Sequence, residues 1–62
     1  MKEYIGKACN ILIILKGRYL FYNVKKVLDV TENHISFIDK FGNNYTYRKE
    51  NVNEINMKNN DY

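Results

Sequence analysis

Hydrophobic and polar positions along this chain form strand-like segments separated by short polar turns. The first segment is a continuous apolar run from Ile11 to Leu15, rich in β-branched isoleucine and bounded by polar residues. Its isoleucines favour a strand over a helix, and a continuous apolar run of this kind is typical of a strand covered on both faces. We therefore predict a first strand over residues 8–16 and a hairpin turn at Gly17, which tolerates the positive φ of a tight reversal.

The second apolar segment, residues 19–30, is too long for one flat strand. Tyr22 and Val24 share one face by parity, but the next residue on that face is Lys26. A β-bulge or sharp bend near residues 23–26 would remove this conflict, because an inserted residue moves the following side chains to the opposite face. Small barrels turn corners with such bends, so we predict one here.

Two shorter segments alternate regularly between apolar and polar positions. Residues 34–39 place Ile35 and Phe37 on one face, and residues 44–49 place their two tyrosines on one face. Residues 40–43 contain a glycine and predict the hairpin turn between them. Two further antiparallel strands are therefore expected.

The two ends of the chain complete the expected fold. Residues 1–7 predict a short helical turn or an extended lead-in over one end of the molecule, and Val52 with Ile55 closes the core after a short turn. We assign residues 1–56 to a single domain and residues 57–62 to a frayed C-terminal tail. The expected fold class is all-β, a small five-stranded barrel with a short N-terminal lead-in.

Length and cysteine content bear on how this domain is stabilised. A chain of 62 residues buries only a small core and usually gains stability from a disulfide, a metal or a partner. The single cysteine, Cys9, excludes an intramolecular disulfide, and we interpret it as a half-buried hydrophobic side chain of an intracellular protein. A homo-oligomer formed through the outer side of residues 11–15 is one expectation, and cover by the chain's own termini is the alternative.

Membrane insertion, catalysis and metal binding find little support in the sequence. No apolar stretch is long enough to span a membrane and no signal-peptide pattern is present, so we expect a cytoplasmic protein without membrane association. His34 and Cys9 are the only residues of their types, and the three glycines are isolated. Neither a metal-ligand cluster nor a phosphate-binding loop is indicated, so we expect no enzyme, no metal site and no cofactor.

The charge is uneven along the chain. The formal net charge is +3; residues 1–30 hold six basic and two acidic residues, whereas residues 31–62 hold four and five. A basic first half suits single-stranded nucleic acid or an acidic protein surface as a partner. Ordinary solubility is the plain alternative.

Three segments in sequence order resemble the Sm-like and wider SH3-like small barrels: "GKACNILIILKGR", "VLDVTENHISFID" and "KFGNNYTYRKENVNEI". The first resembles the family's first strand, which ends in a leucine-lysine-glycine turn. The second resembles a strand, an Asp-containing turn and the next strand, and the third resembles the last hairpin and the closing strand. The resemblance implies an SH3-like (Sm-like) barrel that binds single-stranded RNA, often uridine-rich, on oligomeric rings. The family's RNA motif pairs an aspartate with an asparagine four residues on, a spacing matched by Asp29 and Asn33, which implies Asn33 as an RNA contact.

Aromatic and basic residues point to a binding function. Tyr19 with Phe21, and Tyr45 with Tyr47, form two pairs of period two that can stack on bases. The alternative for either pair is a place in the core with the hydroxyls at its rim. The candidate nucleic-acid-binding residues supply cations for phosphate, rings for stacking and the amide implied by the resemblance: Lys16, Arg18, Tyr19, Lys25, Lys26, Asn33, Tyr45, Tyr47 and Arg48.

The first functional hypothesis is a non-enzymatic module that binds single-stranded nucleic acid, RNA in particular, through a basic, tyrosine-rich face. The second is a protein-interaction module, such as an SH3-like adaptor or a small inhibitor encoded by a phage or mobile element, since tyrosine and arginine also dominate protein interfaces. The third is a structural subunit of a homo-oligomer.

Overall fold

The computed structural model describes residues 1–58, most of which lie in five antiparallel β-strands. The strands are β1 Cys9–Leu15, β2 Arg18–Val30, β3 His34–Asp39, β4 Asn44–Arg48 and β5 Val52–Met57, with 3₁₀ helices at Lys2–Tyr4 and Lys49–Asn51. The predicted all-β fold with five strands is confirmed. Within the described part of the chain, neither helix approaches the length and hydropathy needed to cross a membrane.

All five strands belong to one sheet in the order β4-β3-β2-β1-β5. The long strand β2 pairs with β1 along its first half and with β3 along its second half. Val24 lies at the junction, where it is opposite Cys9 on one side and Asp39 on the other. Strand β2 therefore joins two parts of the sheet that have separate outer faces.

Strand β2 bends through two irregularities in its pairing with β3. The first lies between Val24 and Lys26, where the sequence predicts a bulge, and it confirms that prediction. The second lies between Val27 and Asp29 and is a finding of the structure. Because each irregularity inserts a residue, the buried positions on either side of the two irregularities are Val24, Val27 and Val30, at intervals of three residues instead of two.

The inner face of the sheet carries a core drawn from three strands: Cys9, Ile11, Ile13, Val24, Val27, Val30, Ile35 and Phe37. Half-buried side chains of β4 and β5 pack against this core. The ring centroids of Tyr22 and Tyr45 lie 4.7 Å apart, although β3 separates β2 from β4 in the sheet. The sheet therefore curls toward its inner face.

The N-terminal segment covers part of this core. The 3₁₀ helix confirms the short helical turn predicted for residues 1–7, and Tyr4 packs against the core. Ile5 forms an isolated parallel bridge with Val27, whose carbonyl accepts the Gly6 N–H at 2.7 Å. At the other end, β5 runs through Met57, and the rest of the predicted tail, from residue 59, lies outside the described residues.

Candidate binding surface

The outer face of the β1–β2 hairpin is apolar and aromatic. Leu12 of β1 lies opposite Phe21 of β2, and Ile14 lies opposite Tyr19. Tyr19 is 73% exposed and Phe21 is 67% exposed, whereas the two aliphatic side chains are half-buried. We call these four residues the hairpin patch. Because side chains alternate along a strand, the continuous apolar run of β1 supplies both the core and this outer patch.

Two of the predicted phosphate-binding cations lie at the tip of this hairpin. Lys16 and Gly17 form its two-residue turn, with φ values of 52° and 76°. Positive φ at both central positions is the geometry of a type I′ turn, which matches the twist of the flanking strands. Arg18 begins β2 beside Tyr19, and both cations are exposed. The hairpin patch therefore ends in two positive charges.

The other predicted cations are divided between two places. Lys25 and Lys26 are exposed in the bend of β2, just past the end of the hairpin patch. Arg48 lies on the outer face of β4, opposite His34, and its Nε donates to Glu50 Oε2 at 3.0 Å. The structure therefore places these two lysines in the bend, where Lys26 lies opposite Ile38 of β3, and sets Arg48 apart, beside a neutralising carboxylate.

Asn33 lies in the exposed turn after β2, at the opposite end of that strand from Tyr19. Its backbone carbonyl accepts the Lys49 N–H at 2.8 Å, which ties the turn to the segment after β4. The nearby Thr31 hydroxyl accepts the His34 N–H at 3.0 Å. The structure does not bring Asn33 together with the hairpin patch.

Tyr45 and Tyr47 face inward and form an aromatic cluster with Tyr22 and Phe37. The Tyr45 and Tyr47 rings are nearly parallel, 15° apart in plane, with centroids 6.3 Å apart. The hydroxyls of Tyr22 and Tyr47 form a hydrogen bond with each other. Burial, followed by this hydrogen bond, raises the pKa of the Tyr22 phenol well above its ordinary value. Tyr45 and Tyr47 therefore pack against the core with their hydroxyls at its rim, whereas Tyr19 and Phe21 are available to a ligand.

A depression of ≈ 500 Å³ adjoins the hairpin patch at Phe21 and was not indicated by the sequence pattern. It lies between β2 and the β3–β4 hairpin and is lined by Phe21, Tyr22, Asn23, Asp39, Lys40, Phe41, Asn43 and Tyr45. We call it the aromatic depression. Phe41 is 76% exposed, and the Lys40 ammonium lies 5.1 Å from its ring centroid. The Lys40 N–H donates to the Asn23 carbonyl at 3.0 Å, which holds this loop against β2.

The buried carboxylate of Asp39 shapes this depression. Its Oδ1 accepts the backbone N–H groups of Phe41 and Asn43, each at 2.9 Å. Gly42, with a φ of 87°, completes the turn and donates its N–H to the Asp39 carbonyl at 3.0 Å. Asp39 is two residues after Phe37 and four after Ile35, so strand alternation puts all three on the inner face. This alternation is the sequence signal that could have predicted a buried carboxylate here.

The second outer face, on β3 and β4, differs from the hairpin patch because it is mostly polar, although it includes the half-buried Ile38 opposite Asn44. Ser36 and Thr46 lie opposite each other, with their hydroxyl oxygens 2.9 Å apart. His34 is exposed on the same face. Residues 1–58 hold no group of three or more His, Cys, Asp or Glu side chains placed to bind a metal.

The one thiol is buried within the core. Cys9 has no exposed surface, and burial raises the pKa of its thiol above the ordinary value, opposed in part by the charge of Lys58. Lys58 in turn donates from Nζ to the side-chain carbonyl of Asn23, at the margin of the aromatic depression. The cysteine therefore acts as a packing residue.

Comparison of this chain with protein-family models, with curated proteins and with solved structures finds no match.

Proposed function

We propose that this chain is a non-enzymatic module that binds single-stranded nucleic acid, in particular RNA, along the hairpin patch. The observation that carries the proposal is the pair Tyr19 and Phe21, which lie on one strand face and are 73% and 67% exposed. Leaving two large rings in water forgoes about 1.5–3 kcal/mol of burial for each. A surface that retains them side by side is typical of a recognition site.

The spacing of the two rings suits successive bases. Residues two apart on a strand are about 7 Å apart, which leaves room for one base on each ring. Base stacking on an aromatic side chain contributes about 1–3 kcal/mol for each base and tolerates all four bases. Stacking on Tyr19 and Phe21 together therefore contributes about 2–6 kcal/mol, which corresponds to dissociation constants from about 30 mM to about 40 μM before any phosphate contact is added.

Charge along the patch favours a polyanion that follows β2. Lys16 and Arg18 lie at one end, and Lys25, Lys26 and Lys40 lie around the other. An acidic residue, Glu54 of β5, lies on the same outer face opposite Leu12, and β1 separates it from β2. A strand that runs along β2 therefore meets cations at both ends and avoids this carboxylate.

The fold proposed for this module is a small SH3-like barrel. The strand order, the 3₁₀ turn between β4 and β5, the bent β2 and the contact between Tyr22 and Tyr45 support this assignment. In such a barrel the two outer faces are free for ligands, because the inner face is filled by the core.

The test is fluorescence anisotropy with labelled uridine-rich RNA, adenine-rich RNA and single-stranded DNA at low and near-physiological salt. Phe21→Ala and Tyr19→Ala should each weaken binding about tenfold through lost stacking. Reversing Lys25 and Lys26 to Glu should weaken binding and flatten its salt dependence. His34→Ala, at an exposed position on the polar outer face, is the control. Binding that none of these patch substitutions affects would refute the proposal.

A second candidate, protein interaction through the same patch, is favoured by the aliphatic pair Leu12 and Ile14. Base stacking has no need of aliphatic side chains, whereas protein interfaces combine them with aromatic residues. A second copy of the chain is the partner that can be tested directly. Sedimentation would then give a mass that is a multiple of 7.5 kDa, and Ile14→Lys would return it to the monomer value.

A further inference from the structure

We propose that the aromatic depression receives one base of the bound strand, selects bases that carry an amino group, and prefers guanine through the Asp39 carboxylate. This inference rests on the proposed function, because the strand that supplies the base is the one bound along the hairpin patch. It goes further by assigning a base preference that differs from the uridine preference implied by the Sm-like resemblance.

Asp39 is 6% exposed and its two carboxylate oxygens differ in their partners. Oδ1 accepts two backbone N–H groups, from Phe41 and Asn43, so its acceptor sites are used. Within residues 1–58, Oδ2 has no hydrogen-bond donor. No fully buried side-chain oxygen in the same residues lacks a partner, so Oδ2 keeps some exposed surface, and Asp39 is one of the residues that line the depression. The free oxygen of a largely buried carboxylate is a strong hydrogen-bond acceptor, and a ligand in the adjoining cavity can supply its donor.

Aromatic side chains form the remaining walls. Phe21 and Phe41 are the most exposed of these rings, and Tyr22 and Tyr45 lie deeper, 4.7 Å apart between centroids. A planar base stacked between or against such rings gains the sequence-tolerant part of its binding there. The acceptor at Asp39 then adds the part that depends on which base is present.

The four bases present different edges to a carboxylate oxygen. Guanine offers two adjacent donors, its ring N1–H and its amino group, and adenine and cytosine each offer an amino group. Uracil has a single N–H donor between two carbonyl oxygens, which repel a carboxylate. The order expected is therefore guanine first, adenine and cytosine next, and uracil last.

Charge favours a nucleotide over a cationic ligand, although aromatic walls with a carboxylate also suit an ammonium or guanidinium group. The Lys40 ammonium already lies 5.1 Å from the Phe41 ring centroid, and the chain carries a net charge of +3. Both features repel a cation. They attract the phosphate that accompanies a base. A nucleotide therefore finds aromatic walls and an acceptor for its base and positive charge for its phosphate.

The experiment measures anisotropy for labelled uridine oligonucleotides that carry one variable central base. At near-physiological salt, the oligonucleotide with guanine should bind about tenfold more tightly than the all-uridine strand. Inosine at the same position lacks the amino group and should lose part of that gain. Guanosine monophosphate should compete only at far higher concentration than unlabelled strand, because it cannot also occupy the hairpin patch. Competition at equal concentration would show a mononucleotide site and overturn the link to a strand.

Asp39→Asn gives a sharper outcome than truncation. The asparagine Oδ1 can keep both backbone N–H bonds, which directs its amide N–H₂ into the depression in place of Oδ2. An acceptor thereby becomes a donor, so the guanine preference should disappear and uracil should gain. Glu54→Gln removes the same charge from an exposed position and should leave the preference unchanged. Circular dichroism checks that each variant is folded.

The outcomes separate the two proposals. Equal binding of all four central bases by the folded wild-type chain would overturn the base preference and leave nucleic-acid binding standing. A guanine preference that survives Asp39→Asn would overturn the role of Asp39. Absence of binding to every oligonucleotide at low salt would overturn both the proposed function and this inference.

Discussion

The hydrogen bond between Tyr22 and Tyr47 allows the contribution of the aromatic cluster to folding stability to be measured separately from any contribution to ligand binding. Removing either hydroxyl, by Tyr22→Phe or Tyr47→Phe, leaves the rings and their packing in place. Tyr22 remains 5.3 Å from Phe37 and 5.6 Å from Tyr47 between ring centroids. The perturbation is therefore confined to one hydrogen bond.

The expected magnitudes follow from that single bond. A neutral hydrogen bond contributes about 1 kcal/mol net, so each single substitution should lower the free energy of unfolding by about that amount. Both substitutions remove the same bond, so the double variant should also lose about 1 kcal/mol instead of twice that value. The coupling free energy is therefore about 1 kcal/mol, and each variant should melt about 4–8 °C lower than the wild-type chain.

Urea denaturation followed by circular dichroism measures the four free energies of the double-mutant cycle. Losses that add within about 0.5 kcal/mol would refute the shared hydrogen bond. The same variants test function, because a Tyr47 hydroxyl engaged with Tyr22 contributes nothing to a ligand. Tyr47→Phe should leave oligonucleotide affinity unchanged, and a tenfold loss would show that this hydroxyl belongs to the binding site.

Three further predictions concern the fold. Lys16→Asn creates the Asn-Gly pair favoured in type I′ turns and should raise the free energy of unfolding by up to about 1 kcal/mol, since Lys16 has a φ of 52°; a lower urea midpoint would contradict this. Iodoacetamide should modify the fully buried Cys9 slowly at pH 8 and completely in urea, as measured by intact mass. The raised pKa of Tyr22 means that unfolded chains lose this proton near pH 10 while folded chains keep it, so stability should fall as pH rises above about 10, less so in Tyr22→Phe.

Local alternation predicts much of this fold because it depends on neighbours in sequence. The inward positions Ile35 and Phe37 and the bend near Lys26 are set by parity, and both are found in the structure. The second irregularity, between Val27 and Asp29, is set by the register of β2 on β3, a contact between distant residues. The alternation of apolar and polar residues within β2 does not predict this second irregularity.

The candidate site was harder to predict for the same reason. Whether a tyrosine pair belongs to the core or to a ligand depends on which strands face each other after the sheet curls. Tyr45 and Tyr47 meet Tyr22 across that curl, whereas Tyr19, which forms the other pair of period two with Phe21, lies on the outer face and is 73% exposed. The depression likewise joins β2 to the turn between β3 and β4, so only the folded chain brings Phe21 near Phe41, twenty positions later in the sequence.

The two outer faces of one sheet provide an internal comparison for the proposed function. Both faces are made of alternate residues on antiparallel strands, and both are free of the core. On β3 and β4 most of these positions hold the polar residues that a solvated face ordinarily carries: His34, Ser36, Asn44, Thr46 and Arg48, with the half-buried Ile38 as the exception. On the β1–β2 hairpin the equivalent positions hold two aliphatic and two aromatic side chains. Folding requires only the inner positions to be apolar, so stability of the single chain does not account for this difference. A ligand that covers the hairpin patch does account for it.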